Sequence, residues 1–133
     1  MVASMIQYQV REGKSLQINE RVEVYYNLHK GGFSIKALQG EHKGTVVAYS
    51  GIVNLSDCEY RVNENALNTI LATKRKKVYA VVRGAFKGAN EQDTASLEKL
   101  SINPYANPFF TDTKGQRVHE SKQAYFTGKG VWK

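Results

Sequence analysis

The sequence predicts an α+β fold: a mostly antiparallel β-sheet or roll of short strands, with one main helix over about residues 63–74 packed on it. Three observations carry this. Short runs of apolar residues alternate with period two between Gly- and Asn-rich turn signals. One stretch, beginning at Asn63, has helical periodicity instead. The 133 residues contain no internal repeat, low-complexity tract or linker, so they suit a single domain over 1–133.

The elements follow in order. Met1–Ser4 stand before a second methionine, Met5, and read as an added leader. Residues 5–20 place Ile6, Tyr8 and Val10 in alternation, an edge strand or a loose arm. Arg21–Leu28 puts Val22, Val24 and Tyr26 on one face of a strand, and His29–Gly32 turns it. Phe33, Ile35 and Ala37 form the returning strand of an antiparallel hairpin. Gly44–Tyr49 is a more continuous apolar run, which suggests an interior strand. Ile52–Leu55 and Cys58–Val62 read as two short strands broken at Ser56-Asp57.

Asn63 is a helix cap, Glu64 lies in the first turn, and Ala66, Leu67, Ile70 and Leu71 share a face. At this length the helix needs the sheet for stability. Lys74-Arg75-Lys76-Lys77 follow, where cations complement a helix C-terminus. Val78–Val82 reads as a strand stopped by Arg83-Gly84, and residues 84–94 as a loop after a short extension of that strand. Residues 95–102 fit either strand or helix. Asn103-Pro104-Tyr105-Ala106-Asn107-Pro108 reads as an ordered loop, because each proline restricts the asparagine before it. Asp112–Gly115 is a hairpin turn. Gln116–Glu120 and Ser121–Thr127 give short strands, and Gly128–Gly130 leads to a docked Trp132.

The apolar fraction of 41% supports a core. No run is long enough to span a bilayer and no secretory leader is visible. Cys58 is the only cysteine, so there is no internal disulfide, and the cytoplasm fits best. The net charge of +7 is local: residues 74–87 hold six cations and no acid, while residues 1–73 are balanced. Such a field favours phosphate or an acidic protein surface.

No phosphate-binding loop or nucleophile elbow is present, no histidine pair has metal-ligand spacing, and no metal or cofactor is expected. Cys58 reads as an inert core thiol. Cations interleave with aromatics in Lys76, Lys77, Tyr79, Arg83, Phe86 and Lys87, and again in Lys122, Tyr125, Phe126 and Lys129. Phosphate contacts beside stacking platforms need that mixture. Alternation would put Val78, Ala80 and Val82 inward and Lys77, Tyr79 and Arg83 outward. The nucleic-acid candidates are thus Lys74, Arg75, Lys76, Lys77, Tyr79, Arg83 and Lys87, acting without catalysis.

An alternative is a protein-interaction module, with the basic run on an acidic host surface and Tyr105, Phe109 and Phe110 as anchors. A second alternative is metal-independent RNA cleavage by His29, His119 and Tyr105. Exposed edge strands allow a homodimer.

Three stretches together, YYNLHKGGFSI, the CEYRV–helix–KRKKVYAVVRG unit and the tail from Asn103, resemble small proteins of phages and other mobile elements. The resemblance covers most of residues 21–133 and implies no catalytic residues. It implies a context in which such proteins bind nucleic acid or block a host defence such as restriction or CRISPR.

Overall fold

The computed structural model describes residues 7–133. The leader reading of 1–4 and the alternation at Ile6 lie outside the described residues. The strands are β1 Gln9–Val10, β2 Arg21–Asn27, β3 Gly32–Ala37, β4 Val46–Ser50, β5 Ile52–Val62, β6 Ala80–Gly88, β7 Lys99–Leu100, β8 Glu120–Thr127 and β9 Gly130–Trp132; helix α1 is Glu64–Thr73. All strand pairs are antiparallel, in the order β1-β4-β3-β2-β6-β5-β8-β9-β7. The fold is therefore α+β with one α-helix among the described residues. None of their helices is long and apolar enough to cross a membrane.

The sheet is a roll. β4 and β5 are four positions apart in the strand order, which would separate them by about 19 Å in a flat sheet. Yet only Gly51 lies between them in the chain. Across the same number of positions, the Phe33 and Phe126 rings meet at 5.3 Å. The curl therefore folds one face onto itself. That inner face carries Val22, Val24, Phe33, Ile35, Ala48, Val53, Leu55, Val82, Phe86, Ala124 and Phe126, all buried in one cluster. The register confirms the shared face: Val24 stands opposite both Ile35 and Val82, and Leu55 opposite both Phe86 and Ala124.

Several boundaries differ from expectation. Ser56-Asp57 does not break the strand. The 11-residue β5 runs through it with a bulge, where Asp57 adopts φ 51°. Pairing with β6 and β8 holds both halves in one strand. Gly84 does not stop β6. A Cβ there would lie 2.8 Å from the Ser56 carbonyl oxygen, so glycine lets β6 pass close beside the bulge. The strand extension therefore runs on to Gly88 before the loop begins.

Helix α1 is capped by Asn63, whose Oδ1 accepts from the Ala66 amide at 3.0 Å. Ala66, Leu67 and Ile70 are buried, but Leu71 is 46% exposed, because the helix turns only a narrow stripe inward. Residues 95–102 resolve into a short 3-10 turn, Thr94–Ser96, followed by β7. Of 116–119, only Arg117 makes an isolated bridge, with Thr111, and β8 begins at Glu120.

Candidate functional site

A cavity of about 830 Å³ opens on the inner face of the roll. Its floor is core: Val24, Phe33, Val82 and Phe126. The end of β2 supplies Tyr25 and Tyr26 to the wall, the segment before β6 supplies Tyr79, and the Asn-Pro loop supplies Pro104 and Phe110. The volume lies in the range of small-molecule and cofactor sites, and the apolar wall with few polar groups is typical of them.

The rim is cationic. Lys76 and Lys77 line it from the segment before β6 and Lys129 from the turn after β8; His29 lines it as well, and no carboxylate lines it among the described residues. Local backbone chemistry sets the basic segment in place. Lys74 ends the helix in the left-handed conformation, φ 60°, and its amide donates to the Ile70 carbonyl at 2.7 Å. The chain reverses there. It is tied back at the other end by the Asn63 amide donating to the Tyr79 carbonyl at 2.7 Å. Between these two anchors Lys74, Arg75, Lys76 and Lys77 are all exposed. None of the four makes an ion pair among the described residues. His29 is set by an Asx turn, in which Asn27 Oδ1 accepts from the His29 amide at 3.0 Å.

The expected stripe of Lys77, Tyr79 and Arg83 does not exist as one surface. β6 begins at Ala80, so strand alternation does not govern residues 77–79. Val78, expected inward, is 46% exposed. Tyr79, expected outward, has a buried hydroxyl with no hydrogen-bond partner. Ala80 and Val82 do point inward, toward the cavity. Arg83 lies on the other face of β6, where its Nε donates to Glu23 Oε1 at 3.0 Å. Glu23 is only 9% exposed and also has Lys36 at 3.9 Å. Lys87 is hydrogen-bonded to Asn19 Oδ1.

The other candidates divide as well. Phe110 is buried against Tyr60, with ring centroids 5.0 Å apart, and lines the cavity. Phe109 is half-buried beneath the Arg117 guanidinium at 3.9 Å, and Tyr105 is 61% exposed on the loop surface. Neither lines the cavity. His29 does, but His119 does not, so the structure does not gather His29, His119 and Tyr105 around one point. Sequence reading missed Tyr25 and Tyr26 as wall residues, since an alternating strand gives no sign of which residues border a void. No group of His, Cys, Asp and Glu suited to a metal ion occurs among the described residues.

Burial sets the titration of the site's neighbours. It pushes the Tyr79 hydroxyl up to about 12. It also pushes the Cys58 thiol up to about 11, a shift that the Ser121 hydroxyl only partly offsets. A buried, protonated thiol is a poor nucleophile, in keeping with its place in the core. Away from the cavity, the Glu98 carboxyl is held down to about 2. The Thr113 hydroxyl and amide both donate to it, at 2.6 and 2.8 Å, and Lys133 lies at 3.3 Å.

A protein-family model described as the Mycobacterium phage L5 gene 82 protein matches residues 15–133, which include every cavity-lining residue named above. The gene 82 protein of Mycobacterium phage L5 is 34% identical over 114 residues, covering 81% of this chain and 84% of that protein. No solved structure matches the chain. Fold and similarity together define a small phage-type protein built on an antiparallel roll. Within that class, the chain belongs to the family of the Mycobacterium phage L5 gene 82 protein.

Proposed function

We propose that the protein binds nucleic acid without cutting it, through Lys74–Lys77 and the cavity they border. One observation carries the reading: four consecutive exposed cations, without ion pairs among the described residues, stand beside an aromatic-walled cavity with no lining carboxylate. Unpaired lysines on a surface release condensed counterions when they meet phosphate, which is the main source of sequence-independent affinity. Lys129 extends the same positive rim from another element. The encounter belongs in the cytoplasm, whose reducing conditions suit the lone buried Cys58.

Fluorescence anisotropy with single-stranded and duplex oligonucleotides tests this across a salt series. Affinity should fall linearly in log–log form, with a slope of roughly −0.7 per phosphate contact on single strands. The double variant Lys76→Glu, Lys77→Glu should weaken binding while leaving the melting temperature unchanged. Absent or salt-independent binding contradicts the reading.

The interaction-module alternative, an inhibitor of a host defence system, draws on Tyr105. It stands 61% exposed on a loop braced by the Asn103 amide donating to the Asn107 carbonyl at 2.6 Å. That reading predicts a stable complex with a host protein that is lost on Tyr105→Ala, and no affinity for oligonucleotides.

A further inference from the structure

We infer that the cavity accepts one unstacked nucleobase of a single strand, with the flanking phosphates on Lys76, Lys77 and Lys129. This rests on the nucleic-acid reading and specifies its ligand form. A surface that only held phosphates would need no void. Here the cations line a cavity that also borders Phe33, Phe126 and Val82. A base held in a duplex stack cannot enter a concave site, so the geometry selects single strands, or bases that flip out.

The wall chemistry favours a base over an acyl chain. Tyr25, Tyr26, Tyr79 and Phe110 line the cavity, and stacking on aromatic side chains tolerates any base. Tyr79 adds a hydroxyl that the protein leaves without a partner. A nucleobase edge carries donors and acceptors that an unpartnered hydroxyl at this wall could meet, and a hydrocarbon tail has none. The cations complement phosphate on either side of an inserted base. Lys76 and Lys77 approach from the segment before β6, and Lys129 from the turn between β8 and β9.

The probes are fluorescein-labelled oligothymidylate and an abasic oligomer of equal length and charge. The wild-type protein should bind the base-bearing strand about tenfold or more tightly, with equal salt slopes for the two. Ala80→Phe, which adds a ring inside the cavity, should reduce the base-bearing strand to the abasic level and leave the abasic affinity unchanged. As a check that needs no variant, methyl NMR shifts of Val24, Val82 and Val131 should move with oligothymidylate and stay fixed with the abasic strand. Equal, salt-dependent affinity for both strands overturns the inference and leaves the nucleic-acid reading standing. Unmoved methyl shifts with bound oligothymidylate overturn it in the same way. Salt-dependent binding of neither strand overturns both. Saturable uptake of laurate that oligothymidylate cannot displace assigns the cavity to acyl anions and also overturns it.

Discussion

Lys77 and Arg83 belong to one basic stretch of sequence, and the fold treats them in opposite ways. Lys77 lies in the segment between the helix cap and β6, exposed at the cavity rim, without an ion pair among the described residues. Arg83 lies within β6 on the outer face, committed to a nearly buried Glu23 at 3.0 Å. The difference is one of partners and not of residue type. On the outer face of β2 and β6, a low-exposure carboxylate needs cations beside it, and Arg83 and Lys36 supply them. At the rim no carboxylate lines the cavity among the described residues, so the cations there have only solvent or a ligand to answer. Net charge in a sequence therefore overstates the charge open to a ligand. Of the six cations in residues 74–87, Arg83 is paired with a carboxylate, while Lys87 is hydrogen-bonded to the neutral Asn19 side chain and keeps its charge.

That contrast can be broken at several points, taken from the largest expected effect on stability to the smallest. Gly84→Ala should destabilise the protein toward the upper end of about 1–3 kcal/mol, measured by urea denaturation, because the new Cβ meets backbone at the bulge. Arg83→Ala should cost about 1–2 kcal/mol, since it strips Glu23 of its hydrogen-bonded cation. The figure is set below that for a fully buried pair because Arg83 keeps a third of its side chain in water. Oligonucleotide affinity should not change in that variant.

Tyr79→Phe should leave stability unchanged or raise it by up to about 1 kcal/mol, as it removes a buried hydroxyl with no partner. If the hydroxyl serves a ligand, the same variant weakens binding, so stability and affinity would move in opposite directions. Glu98→Gln touches neither region and acts only in acid. The Glu98 carboxyl is held below its ordinary value, so its contribution is present above about 4.5 and is lost as pH falls toward about 2. Thermal melts of wild type should therefore drop more steeply across that window than melts of Glu98→Gln. Lys77→Ala should change stability by less than about 0.5 kcal/mol, as expected of a surface position.

Local chemistry made part of this legible in the sequence. The Asn63 cap, the strands at Val22–Tyr26 and Phe33–Ala37, and the turn at Asp112–Gly115 each depend on residues within a few positions of one another. The joined β5 and the extended β6 were not legible, because each depends on a strand distant in sequence. Ser56-Asp57 looks like a break until β6 and β8 hold both sides of it. Gly84 looks like a stop until Ser56 lies against it. At the candidate site, Lys76, Lys77, Tyr79 and Phe110 could be named from type and spacing. Their meeting with His29, Lys129, Tyr25 and Tyr26 could not, because the curl that brings β2 and β9 to one cavity is a property of the whole sheet.

The most direct test compares two charge reversals by fluorescence anisotropy on the same single-stranded oligonucleotide. One is the double variant Lys76→Glu, Lys77→Glu at the rim; the other is Lys87→Glu on the outer face. The rim variant should lose most of its affinity and flatten the salt slope by about 0.7 for each phosphate contact removed. The outer-face variant should retain both affinity and slope. Equal losses in the two variants, or none in either, would contradict the proposal that the rim cations meet phosphate.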